Sequence, residues 1–569
     1  MLVTDSANTD PANTDPANTD PANTASASTS PANTGLASTN PANTDPANAE
    51  PLSAGTPAEL YLPSPPDDQE KYKYFGRPRR LVFAWLLVAS AGVLYGYVHV
   101  AARAWLVSPL MWLLLMVMVP PVVVNFWLRA GRPRLTLAEH QATVAAYREQ
   151  GESIDVFLPS AGEPLALLDN TMRHARALRW GGAKTVYVLD DSARPEVREL
   201  ADRHGLRYVV RPHPGELKKA GNLTHALGIS AGDFIVVLDA DFAVRPEFLY
   251  ETMPYFADPA VGIVQTAQFY DVGNRSLSYI QRYAGTLQEI FFRYIQPARD
   301  RYRAAICAGT NLVYRRASVA VAGGFAQVPI GEDVHSGVKL WAAGQETRYL
   351  PLCLARGVAP ADFPSLANQQ ARWCRSSMLL MVDEHFLAAP FDWKQRTAFW
   401  AAFLYYMSSA ALLLTGPFPT LTMIWFYPGL VHPHNYLPLL PALAATLFAF
   451  PLLSGGWRPT IYRVCLMNSC CHLYAVWYAL RDRVAEWVPT GASPEQGQVP
   501  RTVNRILRTW IVTVQVLLWS GLAVRVHQYG WHPYWATELL AGVQLYMTAP
   551  LLTRSKGVRK PPWPEEAAA

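Results

Sequence analysis

The chain has 569 residues, half of them hydrophobic and 16% charged, with a net charge of +5. That balance is too apolar for a purely soluble enzyme and too polar for a bare bundle of membrane helices. The small positive charge does not call for nucleic acid, because the basic residues gather beside apolar runs. Cys307, Cys353, Cys374, Cys465, Cys470 and Cys471 show neither metal-ligand spacing nor a disulfide framework, which fits reduced thiols facing a cytosol.

Residues 1–70 are dominated by a Pro-Ala-Asn-Thr-Asp repeat, as at Pro11–Asp15 and Pro16–Asp20. Such residues offer nothing to bury, so a disordered tail is expected over 1–70. It lacks a basic start followed by an apolar core, so no signal peptide is expected. Lys71, Lys73, Arg77, Arg79 and Arg80 then precede an uncharged run, Leu81–Ala102. A second run, Trp105–Leu128, ends at Arg129, Arg132 and Arg134. Each has the ~20 residues that cross a bilayer, and basic outer flanks predict a transmembrane hairpin over 71–134 with both ends inside. Pro120–Pro121 should kink the second helix without ending it.

From 135 to 390 the pattern becomes that of a soluble domain. Short apolar runs recur at Ile154–Leu158, Thr185–Leu189, Phe234–Leu238 and Gly262–Gln265, with helical stretches such as Leu165–Leu178 and Pro195–His204 between them. This alternation predicts a parallel-stranded α/β domain. Beyond it, no charged residue stands between Arg396 and Arg458, which predicts transmembrane helices 3 and 4 within 391–457, turning near His432–Asn435. Ile461–Trp487 mixes aromatic and charged residues and is expected to lie in the membrane interface, within a segment 458–505. Helices 5 and 6 follow within 506–553, about Thr509–Val524 and Trp531–Leu552. Arg554, Lys556, Arg559 and Lys560 keep the tail 554–569 inside.

The chemistry centres on Phe234–Phe242, a strand that ends in Asp239 and Asp241. In open α/β sheets the carboxyl edge of the strands is where ligands bind. Two carboxylates there suit Mg2+ or Mn2+ shared with a substrate phosphate, and a helix or turn cap is the bland alternative. Asp190-Asp191 would project at the same edge, as would Pro159–Pro164. Asp191 could hydrogen-bond a nucleoside or cap the helix after it. Lys218-Lys219-Ala220-Gly221-Asn222 offers an amine and a flexible backbone suited to a diphosphate, or else a solvated basic turn. Gly331-Glu332-Asp333 opens a helix, and Gln369-Gln370-Ala371-Arg372-Trp373 follows.

Asp-Asp, Asp-x-Asp, Glu-Asp and Gln-x-x-Arg-Trp, in that order within a membrane-flanked domain, resemble a processive family 2 glycosyltransferase of the cellulose synthase-like type. Hyaluronan and chitin synthases share the last motif. Lys219–Leu223, Val264–Thr266 and Cys307–Asn311 look like further counterparts, and the resemblance covers roughly Leu81–Leu552. It implies a GT-A-like (Rossmann-like) α/β domain inserted between transmembrane helices. By the same resemblance, Asp239 and Asp241 hold the metal, and Asp190 and Asp191 contact the nucleotide. Lys219 and Arg372 grip phosphates, Gln369 binds substrate, Trp373 is a flat platform for the acceptor sugar (taken alone, a buried interfacial Trp is the bland alternative), and Asp333 beside Glu332 is the general base. Two departures stand out. Gly331 replaces the usual Thr, removing a hydroxyl, and Trp487–Ala492 matches the gating-loop signature loosely, without its Lys.

The implied activity is polymerisation of a UDP-sugar, UDP-glucose by expectation, into a β-linked polysaccharide such as cellulose, passed across the plasma membrane from a cytoplasmic catalytic domain. The expected partners are the donor, the growing chain, the bilayer, and auxiliary export or cell-envelope subunits. Alternatives are a non-processive transferase making a glycolipid, a hyaluronan- or chitin-type polymer, and a non-catalytic channel or scaffold that keeps a transferase fold.

Overall fold

The computed structural model describes residues 61–76, 80–129, 133–481 and 497–553. Arg77, Arg79, Arg132, the loop Trp487–Ala492 and the basic residues from Arg554 onward lie outside them, as does the tail over 1–60.

Eight strands form one sheet. They are β1 Ile154–Ser160, β2 Lys184–Asp190, β3 Arg207–Val209, β4 Phe234–Val237, β5 Phe242–Val244, β6 Val261–Tyr270, β7 Leu312–Arg315 and β8 Glu346–Gly357. Every residue of β1, β4 and β6 is buried, as near-continuous apolar runs require when helices cover both faces. The order is β3-β2-β1-β4-β7-β6-β8-β5. The expected all-parallel sheet is corrected here: β7 runs antiparallel to β4 and β6, and β5 antiparallel to β8. The cause of the first reversal is local. The chain reaches β7 through a turn at the edge where β4 ends, with Gly309 at φ 80 and Asn311 at φ 56, and Asn311 N donates to Val237 O at 2.9 Å. A strand that enters from that edge can pair only against its neighbour.

Among the described residues, five helices are long and apolar enough to cross a membrane: Leu81–Arg103, Ser108–Arg129, Trp393–Phe426, Pro433–Leu453 and Gln498–Tyr529. The second runs through Pro120 and Pro121 without a break. The third is interrupted at Gly416–Pro417, where proline removes a helix hydrogen bond. The sixth expected span forms the helix Trp535–Thr553, which carries Glu538 and falls outside that set.

Two expectations give way. Residues 61–70, placed in the tail, strap onto the domain instead. Arg245 donates to Asp68 and to the Pro66 carbonyl, Arg356 pairs with Glu70, and Asn170 donates to Pro63 O at 2.8 Å. Lys71 follows, pairing with buried Glu251, which also meets His140 at 2.7 Å. Charged side chains reach across the domain to hold this segment, which composition alone does not reveal. The stretch expected in the interface forms the helix Tyr462–Ala479, with ten buried residues that include His472 and Asn468. It packs between the helices Phe363–Leu380 and Trp393–Thr415, so it is a core helix.

Candidate active site

Four loops meet at the edge where β1, β2 and β4 end. The first carries Glu163, the second Asp190 and Asp191, the third Asp239-Ala240-Asp241 and the fourth Cys307–Asn311. Gln265 on β6 pins the fourth. Its Oε1 accepts from Ala308 N at 2.7 Å, and its Nε2 donates to Thr310 O and Thr266 O, each at 2.8 Å. Thr310 Oγ1 in turn accepts from Asp239 N at 2.8 Å. The Asp-x-Asp turn is therefore tied to the loop beside it.

The carboxylates here are short of positive charge. Burial, then the charges of Asp239 and Glu163, push the Asp241 carboxyl up to about 8. Burial chiefly, with Asp239 adding, pushes Glu163 up to about 7. Lys219 answers part of this excess: its ammonium bonds Asp239 and the Gly309 carbonyl (2.8 Å), and lies 4.0 Å from Glu332. Burial lowers the Lys219 pKa, but Asp239 and Glu332 outweigh it and hold the ammonium above its ordinary value. Among the described residues no three His, Cys, Asp or Glu side chains form a closed metal cage. A cation held by one or two carboxylates and substrate phosphates needs none. The hard oxygens of Asp239 and Asp241, whose crowding Lys219 offsets only in part, fit Mg2+ or Mn2+.

Lys218 and Lys219 begin the helix Lys218–Ile229, so the flexible backbone expected there is ordered helix. Gly221 is needed for space, since a Cβ on it would lie 2.3 Å from Arg211 Nη1. Arg211 is the brace of this corner. It donates from Nε and Nη2 to the two oxygens of Asp191 at 2.6 and 2.7 Å, and from Nη1 to Glu216 O at 2.5 Å.

Asp190 does not reach the site. It is fully buried, and its carboxylate accepts from Ser192 N (3.0 Å), Ser192 Oγ (2.6 Å), Arg194 N (2.8 Å), Tyr208 Oη (3.1 Å) and Ser160 Oγ (3.2 Å). The nucleotide contact expected of Asp190 is thus corrected: backbone and hydroxyl donors saturate it. The capping role weighed for Asp191 is filled by no side chain: the helix Pro195–Arg203 has Arg194 at its N-cap and no side-chain cap, and Asp190 holds the turn before it.

Glu332 and Asp333 open the helix Glu332–Ala342 behind Gly331, which sits at φ 74. Burial raises the Asp333 pKa against the opposing charges of Lys219 and Arg372. Burial, then Asp333, pushes Glu332 up to about 7. A Cβ on Gly309 would lie 2.8 Å from Asp333 Oδ2, so that glycine leaves the carboxylate its space. Gln369, Arg372 and Trp373 lie on the helix Phe363–Leu380, capped by Asp362, which accepts from Ser365 N at 2.8 Å. The next turn brings Ser376 against Gly331, where a Cβ would stand 1.8 Å from Ser376 Oγ. Gly331 is therefore an adaptation to close helix contact, and a hydroxyl from Ser376 stands beside it. On the far side of this helix, Gln370 Oε1 meets His472 Nε2 at 3.2 Å.

Sequence reasoning brought Lys219, Asp239, Asp241, Glu332, Asp333 and Arg372 to one place and missed Glu163, Arg211, Gln265 and Ser376. Glu163 lay within the quoted loop Pro159–Pro164. Arg211 carried no signal, because its partner stands 20 residues away.

Residues 152–376 match the family described as glycosyltransferase like family 2. A UDP-forming cellulose synthase catalytic subunit of Pseudomonas fluorescens is 28% identical over 401 residues, 67% of this chain and 53% of that protein. Cellulose synthase 1 of Komagataeibacter xylinus is 30% identical over 321 residues, 54% of this chain and 20% of that protein. The chain thus spans about half or less of the length of these relatives. Among solved structures, a mannosyltransferase of Pyrobaculum calidifontis in complex with GDP-Man and Mn2+ aligns over 71% of this chain and 100% of its own, at 16% identity and a TM-score of 0.45.

Proposed function

From a chain that carries a glycosyltransferase family 2 domain of the cellulose synthase-like kind, in a GT-A-like fold, we propose a membrane-embedded processive inverting polymerase. It uses UDP-glucose, extends a β-linked glucan, and passes that chain through its own helices from a cytoplasmic domain. The observation that carries this reading is the position of the helix Phe363–Leu380. One side meets Gly331 beside Asp333, and the other packs on the helix Tyr462–Ala479 and the span Gln498–Tyr529. An acceptor end held by Gln369 and Trp373 would sit between the carboxylates and the membrane helices.

Asp239 and Asp241 would hold Mg2+ or Mn2+, which when bound neutralises charge on the departing diphosphate. Lys219 and Arg372 both act on the Asp333 carboxylate by their charge and would supply cations for phosphate oxygens, Arg372 as a planar fork. Asp191, fixed by Arg211, borders the nucleoside side. Asp333 accepts the proton of the acceptor hydroxyl, and its buried, raised pKa makes it a better base than an exposed aspartate.

The test is the full chain in lipid nanodiscs with a panel of UDP-sugars and Mg2+ or Mn2+, followed by linkage analysis. UDP-glucose should yield polymer that a β-glucanase digests, and Asp333→Asn should cut synthesis by about 10²–10⁴-fold while the fold persists. Transfer of one or two sugars to lipid would overturn processivity. Unchanged synthesis by the variant would remove Asp333 from the chemistry.

A further inference from the structure

The span Trp393–Phe426 breaks at Gly416–Pro417, and the break opens a groove against the helix Gln498–Tyr529. The groove holds about 500 Å³ and is lined on one wall by Leu413, Pro417, Phe418 and Leu421. Trp510 also lines it and ties the two helices, donating from Nε1 to Leu413 O at 2.7 Å. The other wall has an ordered chemistry. Arg505, Thr509, Thr513 and Leu517 all line the groove, and they stand four residues apart, on one ridge of the helix. The surface inside the groove is almost wholly apolar, and the one cation of the ridge, Arg505, stands at its end.

An apolar groove with a cation at its end is the mirror of an amphiphile with a hydrocarbon tail and an anionic head. The dimensions agree. Twelve residues of helix rise ~18 Å, close to the ~15 Å of one leaflet of a ~30 Å hydrocarbon core. Charge also agrees, because the helix 498–529 contains no acidic residue. Arg501, one turn before Arg505, is exposed like it, and Arg505 makes no hydrogen bond or ion pair among the described residues. The helix's Val499, Val503 and Leu507 share a buried cluster with Leu366 and Ala371 of the helix that bears Arg372 and Trp373. The charged end of the groove thus lies at the level of the catalytic domain.

We propose that this groove is a binding site for one anionic phospholipid, with its phosphate on Arg505 at the end of the groove and an acyl chain inside it against Leu421 and Leu517. The site is separate from the sugar-nucleotide site and does not depend on which sugar is transferred.

Native mass spectrometry of the full chain, delipidated in detergent and titrated with phosphatidylglycerol or phosphatidylcholine, tests it. The wild-type chain should retain phosphatidylglycerol about fivefold more tightly than phosphatidylcholine, the preference that one cation near an anionic headgroup confers. Arg505→Gln should erase that preference and Arg505→Lys should keep it, while Leu421→Trp should weaken retention of both lipids. Equal retention of the two lipids by the wild-type chain overturns the proposal. So does a preference that survives Arg505→Gln, or retention unchanged by Leu421→Trp in a chain whose melting temperature matches wild type.

Discussion

Replacing Gly331 with alanine would add one carbon at the joint between the helix that opens with Glu332 and the helix that carries Arg372. Two costs follow. A left-handed φ at a residue with a side chain costs about 1–2 kcal/mol, and Gly331 sits at φ 74. The new carbon would also stand 1.8 Å from Ser376 Oγ, where ~3.5 Å is an ordinary contact, so one helix must move. Ser376 lies one turn beyond Arg372, and its retreat displaces the guanidinium from Asp333. A misplacement of about 1 Å near reacting atoms costs on the order of 100-fold in rate. Gly331→Ala should therefore lower turnover about 100-fold, and the backbone cost alone lowers the melting temperature by roughly 2–8 °C. Ser376→Gly makes room at a helix cost of about 1 kcal/mol. A double-mutant cycle read by both sugar transfer and thermal unfolding separates the two terms. The double variant should regain most of the lost turnover while staying less stable than wild type. If it is no faster than Gly331→Ala, the Ser376 contact is not the cause.

Arg211→Met should destabilise the chain by about 3–5 kcal/mol, because it strands the Asp191 carboxylate in a buried corner; denaturant unfolding checks this, and a loss below 1 kcal/mol would refute the brace. Gln265→Leu should leave the Ala308 amide and the Thr310 carbonyl unpaired, at about 1–3 kcal/mol for each buried group. Its transfer rate should fall further than its stability, as the turn of Asp239 follows the loosened loop. Burial pushes the Glu251 carboxyl up, but its bonds to His140 and Lys71 outweigh that and hold it below its ordinary 4.5. A depressed pKa contributes stability above the ordinary value, and the contribution is lost as pH falls through the folded one. The strap over 61–76 should therefore become protease-sensitive as pH drops below 4.5, and Glu251→Gln should show equal sensitivity at neutral pH and in acid.

Of the eight strands β1, β2, β4 and β6 were legible, because buried β-branched runs look the same in almost any sheet, while β3, β5, β7 and β8 were passed over. For the same reason the reversal of β7 was not legible: an apolar run carries no arrow, and the direction was set by left-handed backbone at Gly309 and Asn311. Asp239, Asp333 and Arg372 could be read because each sits in a short local pattern. Arg211, Gln265 and Ser376 act on partners distant in the chain, and their residue types are ordinary for a surface loop, a strand and a helix. The helix Tyr462–Ala479 looked interfacial through its aromatic residues and Arg463. Its burial depends on neighbours such as Gln370 and Ser409, which satisfy His472 from two other helices.

Asp190, with five donors converging on two oxygens, has a consequence for how any survey of variants reads this protein. Asparagine there would turn an amide toward groups that need an acceptor, and glutamate would overfill a pocket with no exposed surface. Both should abolish sugar transfer as thoroughly as a change at Asp333, yet for a reason unconnected with sugars: the corner that carries Asp191 would come apart. Screens scored by product alone give the two aspartates the same rank. The yield of detergent-extracted, monodisperse chain and its melting temperature tell them apart, with Asp333→Asn keeping the wild-type profile and Asp190→Asn losing it.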